Sequence, residues 1–144
     1  MNYCIGNMKD IKKWKKQRAE RGFSDYDIFE INTWFLNIMP EMIAELRKKN
    51  LGYPMFMRKK YMDEHFLEED TISDAQKEDM DEVCYNEWTN ILSKMEHAFL
   101  QANPETCSYK ELEDKDEKAY YKRLEENKKS ALEMFVKYFD DLWW

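Results

Sequence analysis

Glycine and proline are scarce, at three of each in 144 residues. Few positions can therefore take positive φ or a fixed turn angle, which disfavours a many-turned β architecture. The same scarcity nearly excludes a phosphate-cradling glycine loop, and no G-x-G-x-x-G, Walker or G-x-S-x-G pattern occurs. Cysteine is no more abundant. Cys4, Cys84 and Cys107 are odd in number and far apart, with no C-x-x-C pair, so neither a disulfide framework nor a zinc site is indicated. The two histidines, His65 and His97, form no H-E-x-x-H or E-x-x-H pair and read as partly exposed side chains, not metal ligands. No cofactor is called for. Long apolar runs are missing too, and mean hydropathy is -0.91. A membrane span is thereby excluded, no signal-peptide apolar region is present, and the expected location is the cytoplasm.

What the chain has in quantity is charge and helix formers. The net charge of -7 is unevenly spread. Lys9, Lys12, Lys13, Lys15, Lys16, Arg18 and Arg21 face only Asp10 and Glu20, whereas residues 68–82 carry eight acids against Lys77. The acidic span 67–83 reads as a mobile connection within a single domain of residues 1–144. With 30 Asp and Glu, carboxylate pairs are inevitable and describe a solvated face, so no catalytic pair stands out and an enzyme is not expected. The basic segment with Trp14 could neutralise phosphates and stack a base, but net acidity disfavours nucleic acid.

Helical periodicity organises the rest into an all-α bundle of four or five helices. Residues 8–20 form a short basic helix that Gly22 stops. Ser24 is then expected to cap a second helix over 25–49, with Asp25 and Asp27 in its first turn and Phe23 stapled onto Ile28. Ile28, Ile31, Phe35, Met39, Met42 and Leu46 recur every three or four positions, which predicts one buried face and a central place in the bundle. Pro40 predicts a kink or break near 36–39. Residues 55–70 are ambiguous. Trp88, Leu92, Met95, Phe99 and Ala102 define the next helix, ended by Asn103-Pro104. A last helix over 108–143 begins heavily charged, where it would project or fray. It finishes with Ala131, Leu132, Phe135, Val136, Phe139, Leu142 and Trp143 as a broad apolar face.

Aromatic residues make up 15% of the chain. Their plainest role is core packing, since each contributes a large apolar area. Aromatic walls beside arginines are also what a planar, phosphorylated ligand would need, through stacking and charge-assisted hydrogen bonds. On that ground Arg21, Ser24, Asp25, Trp34, Arg47, Tyr53, Arg58 and Trp88 form a candidate ligand wall. The Trp143-Trp144 pair suits either docking into the bundle or contact with another subunit, so a homo-oligomer is expected.

Three segments together, RGFSDYDIFEINTWFLNIMPEMI with LGYP, EWTNILSKMEHAF and ALEMFVKYFDDLWW, resemble a recurrent kind of small bacteriophage protein. The resemblance covers about half the chain and brings no catalytic residues with it. It implies phage origin and leaves the mechanism open. The expectation is a non-enzymatic protein acting against host immunity by sequestering a nucleotide-type signal. The alternatives are direct inhibition of a host defence protein, or a part in virion assembly.

Overall fold

The computed structural model describes residues 8–143; Cys4 and Trp144 lie outside them. Among the described residues there is no strand, and six α-helices occur, α1 (Met8–Arg21), α2 (Ile31–Lys49), α3 (Met55–Glu64), α4 (Asp74–Ala102), α5 (Leu112–Lys115) and α6 (Glu117–Lys137), followed by a 3₁₀ turn at Phe139–Asp141. The all-α class holds. The helix count is six rather than four or five, because the expected last helix is divided. Asp116 leaves helical geometry at φ -155° and its carboxylate accepts from Ala119 N at 3.0 Å, capping a fresh helix where one continuous rod was expected.

Helix α4 is the spine. Met80, Cys84, Trp88, Leu92, Met95, Phe99 and Ala102 are all buried along it, at spacings of three or four that place them on one stripe. Its start is a reciprocal cap. Gln76 N donates to Ser73 Oγ at 3.2 Å, and Ser73 N donates back to Gln76 Oε1 at 2.9 Å. The acidic span expected to be a connection is therefore helical from Asp74 onward, with Met80 inside the core and its acids turned to water. Residues 55–64, ambiguous in sequence, form α3 and bury Met57 and Tyr61.

Helices α2, α3 and α6 pack on α4. Phe35, Phe99 and Phe135, one from each of α2, α4 and α6, meet edge to face with centroids 5.5 to 6.0 Å apart, the geometry that sets positive ring edges against negative faces. A second, smaller cluster of Cys107, Tyr109, Tyr120 and Leu124 anchors the charged first half of α6. That stretch is held down, not projecting.

The central role expected of α2 belongs to α4. Helix α2 starts at Ile31, six residues later than predicted, and residues 25–30 are turns. Ile28, Ile31 and Met42 are more than half exposed, while Phe35, Leu36, Met39, Ile43 and Leu46 face the core. The expected staple is absent: with no helix under it, Ile28 is 54% exposed and Phe23 41%. Pro40 does not break α2, which runs unbroken through it. Proline's missing N–H leaves the Leu36 carbonyl without its helical donor, and Asn103 at the end of α4 fills the gap. Its Nδ2 lies 3.5 Å from Leu36 O and donates to Asn37 Oδ1 at 2.7 Å.

Candidate functional site

The loop after α1 is built from its own side chains. Gly22 takes φ +83°, a conformation open to glycine at little cost, and Gly22 N donates to Arg18 O at 3.0 Å. The chain can then turn back on the helix. Ser24 is fully buried; its N and Oγ both donate to Asp27 Oδ2, at 2.7 and 2.9 Å. Arg18 closes the knot by donating through Nε and Nη2 to the two Asp27 oxygens at 2.9 and 2.7 Å, the paired geometry guanidinium and carboxylate favour. Burial pushes the Asp27 carboxyl up, but Arg18 and the Ser24 donors outweigh it and hold the group below its ordinary range.

Asp25 is gripped in a similar way. Gln17 Nε2 donates to it at 2.7 Å, Arg21 Nη2 at 2.5 Å, and Lys13 lies 3.0 Å away. These three partners, Gln17 foremost, depress its pKa strongly. Arg21 also donates to Phe23 O at 3.1 Å and sits 4.6 Å over the Phe23 ring. Arg21, Ser24 and Asp25 therefore satisfy one another and α1.

The remaining members of the candidate wall lie elsewhere. Arg47 on α2 donates to Glu96 on α4 at 2.7 Å, and Arg58 on α3 donates to Glu69. All three arginines are engaged by carboxylates of the same chain. Trp34 is half-buried on α2, and Trp88 is 1% exposed with its ring 5.8 Å from Tyr138. Of the eight residues, Tyr53 and Trp88 come together at a cavity. It holds about 150 Å³ between the 50–54 turn and the C-terminal segment, which adds Asp141 and Trp143. Tyr53 donates its hydroxyl to Asp81, and burial together with that bond raises its pKa.

A larger feature escaped the sequence reading. Met39, Met42, Ile43 and Leu46 of α2 face Phe135, Phe139 and Leu142 across a groove of about 470 Å³, with Glu45 and Lys49 at its rim. Met42 is 55% and Phe139 61% exposed there. The signal was available. Both stripes carry more apolar side chains than a single seam against α4 can cover, and the excess borders the groove. The buried Cys84 thiol, its pKa raised first by burial, is an inert core group. Comparison with protein-family models, with curated proteins and with solved structures finds no match to this chain.

Proposed function

We propose that the protein is a non-enzymatic binding protein whose working surface is the apolar groove between α2 and the end of α6. In this reading it acts during phage infection, the setting its motifs suggest, by holding an amphipathic helix of a host defence protein. The observation that carries it is the groove itself. A monomer that leaves large apolar side chains around a concave surface marks a place for another apolar surface. Walls supplied by two helices suit the i, i+3, i+4, i+7 anchors of a third.

Sequestration of a nucleotide finds less support. The cavity that gathers Tyr53 and Trp88 holds about 150 Å³, below the ~300–1,000 Å³ of pockets that enclose ligands of that size. At the larger groove the lining cation is Lys49, 3.7 Å from Glu45. A phosphate would meet little unbalanced positive charge at either place.

The test is a double variant, Met42→Glu with Phe139→Ser, both at positions more than half exposed. Capture of the host target by wild-type protein should weaken at least about tenfold in the variant, equivalent to ~1.4 kcal/mol, with the helical content and cooperative unfolding of the protein retained. Equal capture by both proteins refutes the groove. A panel of cyclic and ADP-ribose-derived nucleotides should leave the melting temperature unmoved. A rise that scales with ligand concentration would restore sequestration.

A further inference from the structure

On the other side of the C-terminal segment, the small cavity has a composition that the groove does not explain. Three aromatic residues, Tyr53, Trp88 and Trp143, line it together with one carboxylate, Asp141, and neither Lys nor Arg is part of its lining. We propose that this cavity is a binding site for a tertiary ammonium cation, a nitrogen bearing three carbon substituents and one N–H.

The argument starts from the rings. An aromatic face carries negative potential and attracts a cation placed over it, and walls of this kind are the known means of recognising methylated amines. A bare ammonium is compact and strongly hydrated, so it resists leaving water. Methyl substituents spread the charge and present apolar surface to the rings. One N–H must remain, because Asp141 needs a donor. Asp141 is partly buried, its pKa is raised by burial and then by the neighbouring Asp140, and among the described residues no cation offsets them. An unpaired, partly desolvated carboxylate is costly, and a bound N–H⁺ would relieve that cost.

The walls are held in place. Tyr53 is fixed by the bond from its hydroxyl to Asp81, Trp88 is locked in the core against Tyr138, and the 50–54 turn is tied to α4 by Tyr85 Oη donating to Asn50 O at 3.3 Å. Trp143, 68% exposed, is the wall with freedom to settle over a guest. About 150 Å³ accommodates one such headgroup and excludes a nucleoside.

The same headgroup occurs on a free amine and on a dimethylated lysine side chain, and one experiment separates them. Full-length protein is titrated with trimethylammonium chloride at constant ionic strength, reading the indole N–H signals of Trp88 and Trp143 by NMR. tert-Butanol serves as the neutral isostere. Saturable shifts of both indoles are expected, with a Kd of about 1 mM or tighter. Asp141→Asn should weaken binding about tenfold, a loss in keeping with a charge-assisted hydrogen bond. Trp143→Ala should weaken it several-fold, and neither variant should move the melting temperature.

A peptide carrying dimethyl-lysine that binds more tightly than trimethylammonium assigns the cation to a protein partner; equal affinity assigns it to a free amine. Either result upholds the site. Equal binding of tert-butanol, undiminished binding by the Asp141→Asn variant, equal binding of the unmethylated peptide, or no saturable shift by about 100 mM overturns it.

Discussion

Helices α4 and α1 are held by opposite means. Helix α4 buries seven side chains, six of them large or aromatic or sulfur-bearing and the seventh Ala102, whereas α1 buries none. Among the contacts that hold α1 to residues 24–27 are polar bonds, Arg18 to Asp27 and Gln17 and Lys13 to Asp25, and one ring contact, Trp14 4.8 Å from Tyr26. Apolar burial is non-directional and carries no titrating group, while an ion pair is lost as its carboxylate is protonated and, where exposed, is screened by salt. The molecule thus couples a body with fixed packing to a basic helix whose attachment can be titrated.

The strongest way to break this contrast is Phe99→Ala. Phe99 is fully buried and touches Phe35 and Phe135, so its loss removes apolar area, leaves a cavity and cuts the link among three helices. Unfolding free energy should fall by ~3–5 kcal/mol, read as a lower urea midpoint. A loss under ~1 kcal/mol would mean that the α4 stripe is not the core. Next comes Asp27→Ala, which removes the acceptor of both Ser24 donors and of two Arg18 bonds. A fully buried pair would lose ~3–5 kcal/mol, but Arg18 is 28% exposed, so about 1–2 kcal/mol is expected. The loss should be local. Hydrogen exchange should speed up in α1 and leave the buried stretch of α4 unchanged; equal acceleration in both helices would show that the two regions are not separable.

The same contrast explains what could be read from sequence. The α4 stripe was legible from Trp88 to Ala102 because its periodicity and its burial coincide. Residues 74–83 were misjudged because charge density outweighed two real signals, the Ser73 and Gln76 cap and Met80 and Cys84 continuing the four-residue step to Trp88. Helical spacing overstates the buried face of α2, since Ile28 lies in a turn before it and Ile31 and Met42, though at helical spacing, are more than half exposed. The polar members of the candidate ligand wall are engaged within the chain, which escaped the sequence for a different reason. Arg47 meets Glu96 and Tyr53 meets Asp81 across 49 and 28 residues, and no local pattern encodes which carboxylate a distant arginine or tyrosine will find.

Acid provides a gentler version of the Asp27 experiment. Asp25 and Asp27 both titrate below their ordinary range in the folded protein. Their contribution to holding α1 is therefore complete above the unfolded carboxyl value of about 3.9 and declines as pH falls below it toward the folded values. Between pH 5 and 8, as a rough window free of carboxyl titration, the protection of α1 amides, exchange relative to the intrinsic rate at each pH, should not change with these groups. Below about pH 4 that protection should fall in wild-type protein, but in Asp27→Ala only by what Asp25 alone confers. Loss of protection in α1 already at pH 6, with that of α4 unchanged, would assign the tether to some other group.

The smallest effect comes from backbone alone. Gly22 has φ +83°, and a Cβ built there meets nothing within 4 Å, so Gly22→Ala introduces no clash and tests only the cost of the left-handed conformation. That cost is about 1–2 kcal/mol, offset in part by the lower chain entropy of alanine in the unfolded state. A net loss near 1 kcal/mol should again be confined to α1, because the turn at Gly22 carries no residue of the α4 seam. If instead the variant lowered the urea midpoint as a core substitution does, the attachment of α1 and the packing of α4 would be one cooperative unit. The polar knot would then be holding the whole bundle and not merely its basic arm.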